Sequence, residues 1–161
     1  VHHPAVTTKM HMAQAVGCAP IVTAWANGSP HVSPVRPDTI AKSLAIGNPA
    51  DGIYAIRILR ESNGSAYAVP EHDVVEGIKL LAETEGIFTE TAGGVTVSAL
   101  KNLADSGAIK PDELTVVYIT GNGLKTQEAV EDVVNPLHIK PSMGAFEDVI
   151  GQRISGLVVG G

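Results

Sequence analysis

The run LTVVYIT at residues 114–120 constrains the fold more than any other stretch of the sequence. It is rich in β-branched and aromatic residues, which favour strands. It is also apolar nearly throughout, as expected of a strand whose two faces are both covered. Shorter strand-like runs alternate with helical patterns before it. This alternation predicts an α/β fold with a three-layer arrangement, in which helices flank a mostly parallel sheet.

Apolar spacing and turn residues divide the chain into four strands and four helices. Gly86 is expected to end one helix, the pair Asn63-Gly64 to form a left-handed cap on another, and Gly93-Gly94 to turn the chain into a third. The predicted strands are 9–15, 66–69, 87–89 and 114–119, and the predicted helices are 19–26, 52–62, 71–85 and 93–106.

Composition excludes several classes of protein. The chain has 161 residues and a net charge of −6 with its acids dispersed, which argues against a nucleic-acid partner. No apolar run approaches the roughly 18 residues of a membrane span. The single cysteine, Cys18, excludes an internal disulfide framework and is expected to be a small buried hydrophobe. We therefore expect a cytoplasmic globular protein.

The end of the apolar run is a candidate ligand site. Glycines and a Lys-Thr pair follow it, but Leu124 stands where a phosphate-binding P-loop requires glycine before Lys125. In a parallel sheet, ligands bind at the carboxyl ends of strands. Thr120 lies at such an end, and its hydroxyl can form a hydrogen bond to a ligand. Gly121 and Gly123 would let a flat ligand approach the backbone. A tight turn after a core strand remains the alternative.

Other polar residues carry weaker signals. The six histidines show no metal-ligand spacing, so no metal site is predicted. The acids Glu71, Asp73 and Glu76 at the start of a predicted helix are expected to form a solvated face rather than an acid–base pair. No serine lies in a nucleophile-elbow sequence.

Three stretches together resemble the threonine synthase family. They are AKSLAIGNPADG (41–52), EGIFTETAGGVTVSALKNL (85–103) and ITGNGLKT (119–126), and the resemblance covers residues 8–127. Threonine synthases belong to the pyridoxal-phosphate enzymes of the tryptophan-synthase-β fold type. The resemblance thus implies part of that fold, pyridoxal 5'-phosphate as cofactor, and conversion of O-phosphohomoserine and water to threonine and phosphate.

The resemblance also implies site residues. Thr120 would meet the pyridine nitrogen of the cofactor, Ser43 would run beside the ring, and Glu90 would lie near it. A hydroxyl partner leaves the ring nitrogen largely unprotonated, which tunes the ring as an electron sink. The family's Schiff-base lysine and phosphate-binding loop match nothing in this chain, so no catalytic residue is assigned.

The expected organisation follows from the resemblance. Residues 1–127 would be the C-terminal part of the large domain, and 128–161 an irregular tail or a few small elements. The chain would then be the C-terminal portion of a threonine synthase, inactive alone, associating with itself or with the N-terminal part. The alternatives are a sister enzyme, such as a threonine dehydratase or cysteate synthase, and a non-catalytic α/β assembly domain.

Overall fold

The computed structural model describes residues 7–134 and 137–158. Between residues 12 and 105, each of two strands is followed by two helices. In chain order they are β1 (Met12–Ala15), α1 (Pro20–Ala26), α2 (Gly52–Glu61), β2 (Ala66–Val69), α3 (Glu71–Glu85), α4 (Thr91–Asp105), α5 (Glu131–Val134) and α6 (Met143–Val158). Short 3-10 turns occur at Val16–Cys18, Lys42–Leu44, Gly123–Lys125 and Gln127–Ala129.

The sheet pairs β1 with β2 in parallel, from Met12 opposite Ala66 to Ala15 opposite Val69. The second strand is the one predicted. The first begins three residues later than its predicted start at residue 9, where the Met12 amide donates to the Ser65 carbonyl (2.9 Å). Before that point, the backbone of Gly64 lies against the Met10 carbonyl oxygen. A Cβ on Gly64 would overlap that oxygen.

Side chains alternate between the two faces of this sheet, as in any strand. Ala15 and Val69 point into a buried cluster with Val74 of α3 and Val95 of α4. Met12, on the opposite face, packs on a second cluster formed by Ile21, Ala24 and Ile56 of α1 and α2. The helices therefore cover both faces, which confirms the three-layer α/β class.

Two predicted strands do not form. Residues 114–119 have no strand structure, and 87–89 contribute only an isolated antiparallel bridge between Thr89 and Asn122. Leu114 is 97% exposed. Strand structure needs a hydrogen-bonded neighbour, and no strand runs alongside 114–119 in the part of the chain that the structure describes.

The helices agree more closely with the sequence pattern. α3 spans the predicted residues and ends at Gly86, whose φ of 68° is left-handed. Asn63 adopts a left-handed φ of 52° after α2, also as predicted. On α2, Ile56 and Leu59 are buried, whereas Ile53, at the start of the same helix, is exposed. Cys18 is buried, as expected.

The predicted Gly93-Gly94 turn is wrong, because both glycines lie inside α4, which begins at Thr91. The reason is the close crossing of α3 and α4. A Cβ on Gly94 would overlap the Val74 carbonyl oxygen, and a Cβ on Gly77 would overlap the Gly94 carbonyl oxygen. The glycines thus let two helix backbones touch rather than turn the chain.

The chain divides into two compact units, Val1–Val130 and Glu131–Gly161. The second contains α5 and the sixteen-residue helix α6. None of the helices in the described ranges is long and apolar enough to cross a membrane.

Candidate active site

Two segments, 88–91 and 121–126, lie against each other at the start of α4. The Gly121 carbonyl accepts hydrogen bonds from the Glu90 amide (3.1 Å) and the Thr89 hydroxyl (3.0 Å). The Gly123 amide donates to the Phe88 carbonyl (3.1 Å). The predicted strand end and the residues before α4, 32 positions apart in sequence, are therefore held as one structural unit.

Glu90 is the charged centre of this unit. Its side chain is only 6% exposed, and Lys125 places its Nζ 3.6 Å from Glu90 Oε1. The carboxylate occupies the space that a Cβ on Gly121 would need. Only glycine at that position lets the buried carboxylate lie over the backbone next to Thr120.

Thr120 immediately precedes this packed glycine and is exposed. Its hydroxyl makes no hydrogen bond to any residue in the described ranges. The structure thus brings Glu90 beside the backbone that carries Thr120, and it leaves the Thr120 hydroxyl open to a ligand.

Thr91 and Thr126 add a second polar layer beneath this surface. The Thr91 amide donates to Thr126 Oγ1 (3.1 Å). The Thr91 hydroxyl oxygen is fully buried and has no hydrogen-bond partner among the residues described. Such an atom costs about 1–3 kcal/mol of stability when it is left unpaired.

Ser43 lies in the Lys42–Leu44 turn and is exposed. Ala41 and Leu44, on either side of it, belong to the core cluster that includes Val95 of α4. The Ser43 turn is thereby packed on the same helix that begins after Glu90. In the described ranges, no hydrogen bond or ion pair joins Ser43 to Thr120 or Glu90.

Sequence reasoning missed the role of Glu71. Rather than lying on a solvated face, its carboxylate accepts hydrogen bonds from Gly17 N, Thr39 Oγ1 and Ile40 N. The prediction holds better for Asp73 and Glu76, which pair with neighbours on the same helix. An acid in the first turn of a helix was visible in the sequence, but nothing local indicated that two distant segments reach it.

Comparison with known proteins gives one family and a consistent set of relatives. A family described as pyridoxal-phosphate dependent enzyme matches residues 2–121. Threonine synthase from Methanosarcina acetivorans is 37% identical over 144 residues, 88% of this chain and 36% of that protein. Threonine synthase from Methanocaldococcus jannaschii gives the same identity and coverage.

The chain therefore spans little more than a third of these relatives' length. Among solved structures, threonine synthase from Escherichia coli superposes with a TM-score of 0.61 over 83% of this chain and 31% of that one. The sequence identity in this comparison is 18%, so the likeness concerns the fold.

Proposed function

Because the chain belongs to the pyridoxal-phosphate dependent enzyme family, we propose that it is the C-terminal portion of a threonine synthase. The complete enzyme would convert O-phosphohomoserine and water to threonine and phosphate. Bound pyridoxal 5'-phosphate supplies an electron sink for elimination and replacement at the substrate's β and γ carbons. The similarity to threonine synthases over 88% of the chain supports this proposal.

The observation that carries the proposal is the open hydroxyl of Thr120 above a fixed backbone. Two hydrogen bonds hold the Gly121 carbonyl, which fixes the backbone on the C-terminal side of Thr120. An exposed hydroxyl without a protein partner fits a ring nitrogen, to which it donates one hydrogen bond. The hydroxyl keeps its proton, since it is far too weak an acid to protonate a pyridine. The residues present therefore fit the cofactor ring.

Glu90 and Ser43 take supporting roles in this proposal. The Glu90 carboxylate would lie near the ring with its charge partly balanced by Lys125, 3.6 Å away. Ser43 would run beside the ring on the turn that packs on α4. Neither residue is assigned a proton-transfer step.

We assign the covalent attachment of the cofactor to a lysine outside this chain. A lysine that attacks a carbonyl must lose its proton, whereas hydrogen bonding to Asp105 raises the pKa of Lys101. Lys79 is held in an ion pair with Glu76 (3.1 Å), and Lys9 in one with Glu113 (2.8 Å). The loop that binds the cofactor phosphate is likewise placed outside, and the chain alone is expected to be inactive.

Residues 1–127 would be part of the large domain of the enzyme, and 128–161 its C-terminal tail. The chain would associate with itself or with the N-terminal part of the protein, in the cytoplasm.

Substitution of Thr120 in the complete enzyme tests the function. Thr120→Val keeps the shape of the side chain and removes the hydroxyl, so we expect turnover to fall about fivefold or more, the equivalent of one hydrogen bond of about 1 kcal/mol. The cofactor should be retained, and Thr120→Ser should restore turnover. A structure with cofactor should place the Thr120 hydroxyl oxygen within about 3.2 Å of the pyridine nitrogen. Unchanged turnover in Thr120→Val would refute the assignment.

A further inference from the structure

The Glu71 carboxylate joins three separate segments of the chain. Its Oε1 accepts from the Gly17 amide (3.3 Å), and its Oε2 accepts from the Thr39 hydroxyl and the Ile40 amide (both 2.9 Å). Glu71 is the first residue of α3 and follows β2 closely, while Gly17 follows β1. The carboxylate therefore lies at the carboxyl end of both parallel strands, the edge at which α/β sheets bind ligands.

The Thr39 hydroxyl extends this arrangement by one more residue. It donates to Glu71 and accepts from the Ala41 amide at 3.1 Å. Thr39 is 9% exposed and Ala41 is fully buried. One carboxylate and one hydroxyl thus fix the amides of Ile40 and Ala41, directly before the turn that carries Ser43.

Close packing favours the position of the segment before Thr39, and charge favours the position of Glu71. The Asp38 amide donates to the Gly17 carbonyl (2.9 Å), and a Cβ on Gly17 would overlap the Asp38 carbonyl oxygen. The segment before Thr39 is therefore pressed against the end of β1. The positive end of the α3 dipole stabilises the negative charge of Glu71 at this position.

We propose that Glu71, with Thr39 as its relay, is a positioning residue that holds the Ser43 turn at the cofactor edge of the sheet. This inference rests on the proposed function, since it requires that Ser43 face the cofactor ring. Glu71 itself touches neither cofactor nor substrate in this arrangement. It acts through the backbone of residues 39–41, which leads without interruption into the Lys42–Leu44 turn.

The test compares Thr39→Val with Thr39→Ser in the complete, cofactor-loaded enzyme. Valine keeps the shape and removes the hydroxyl, while serine keeps the hydroxyl. The two readouts are hydrogen exchange of the amides of residues 40–44 and the cofactor dissociation constant with the circular dichroism of its absorption band. Losing the hydrogen bond to the Glu71 carboxylate and the one from the Ala41 amide should speed exchange about tenfold or more and weaken cofactor binding severalfold. The serine variant should restore both.

Each outcome has a distinct meaning. Unchanged exchange in Thr39→Val would overturn the inference, because the segment would then be held by other contacts. Faster exchange with unchanged cofactor affinity and dichroism would also overturn it, and Ser43→Ala then identifies what failed. If Ser43→Ala weakens cofactor binding, only the inference fails. If Ser43→Ala has no effect, the proposed contact between Ser43 and the cofactor fails as well.

Glu71→Gln provides a second variant if Thr39→Val does not fold. Glutamine retains one oxygen acceptor, but its NH₂ group cannot accept the hydrogen bonds made to the other carboxylate oxygen. Faster exchange at residues 40–44 with weaker cofactor binding would again support the positioning role. Wild-type behaviour in both measurements would overturn it.

Discussion

The α3–α4 pair and the segment 114–119 both carry several apolar residues in sequence, yet these residues have opposite exposure in the structure. Val74 and Val95 of the helix pair are fully buried. In the segment, Leu114 is 97% exposed and Val116 and Tyr118 are each 71% exposed. Apolar side chains therefore form a core in one region and an exposed surface in the other.

The difference lies in how each backbone satisfies its hydrogen bonds. A helix pairs its own amides and carbonyls within one segment, so that it needs a neighbour only for its side chains. A strand also needs a neighbouring strand to form hydrogen bonds with its backbone amides and carbonyls. α3 and α4 adjoin in sequence and cross at two glycines, whereas 114–119 has no adjoining strand in the described part of the chain.

The largest effect is expected where the helices touch. Gly94→Ala would place a Cβ against the Val74 carbonyl oxygen and the Ile78 side chain. Because a backbone oxygen cannot swing aside, the helices must separate, and we expect the free energy of unfolding to fall by about 3 kcal/mol despite a helix-propensity gain of about 1 kcal/mol. Urea denaturation of the 161-residue chain measures the change.

Gly144→Ala in α6 is the matched control, since a Cβ there meets no atom within 4 Å. Stability should stay the same or rise slightly in this variant. Equal stability of the Gly94→Ala and wild-type chains would show that the two helices do not depend on close backbone contact.

A paired truncation tests the comparison of the two regions directly. Val95→Ala removes two buried carbon atoms and should cost about 2 kcal/mol of unfolding free energy. Val116→Ala removes the same atoms from a side chain that is 71% exposed and should change stability by less than about 0.5 kcal/mol. Denaturation of both variants under one set of conditions is the measurement. Equal costs would mean that 114–119 is packed in solution.

The smallest expected effect is a change of stability with pH, caused by His11, the residue directly before β1. Burial, followed by the nearby charge of Lys9, lowers the pKa of His11, whose Nδ1 lies 2.7 Å from the Ser65 hydroxyl oxygen. As pH falls below the ordinary histidine pKa of about 6.5, the unfolded chain takes up a proton before the folded chain does. Stability should therefore decrease in this range, down to the lowered pKa of the folded state.

Denaturation between pH 5 and 8 should give a shallower decrease for His11→Gln than for the wild-type chain. His31→Gln removes an exposed histidine and serves as the control. The hypothesis fails if His11→Gln keeps the whole wild-type slope.

The sequence predicted those features that depend on neighbouring residues. α3 has its predicted bounds because Pro70, the first-turn acids and Gly86 all act locally. β2 is also correct, since its short apolar run is bounded by turn residues. The Gly93-Gly94 assignment failed because a glycine pair serves a turn and a close helix crossing equally well, and only the position of α3 decides between them.

The same distinction applies to the candidate site. The sequence around Thr120 indicated a candidate ligand site. The overlap between the Glu90 carboxylate and the Gly121 Cβ position, in contrast, depends on two segments meeting in space. The Glu71 contacts span 31 to 54 residues of sequence. No local pattern encodes such distances, so the acid looked like an ordinary first-turn carboxylate.

Cys18 gives the packed end of β1 a chemical reactivity that can be followed. It directly follows Gly17, one of the Glu71 partners, and its burial raises the pKa of its thiol. The thiolate is the form that reacts with thiol reagents. The folded chain therefore protects this sulfur both by burying it and by keeping it protonated. Since the sequence contains a single cysteine, every labelled molecule reports one event. The rate of labelling therefore measures how often the turn after β1 opens and exposes Cys18. No residue has to be introduced for this measurement.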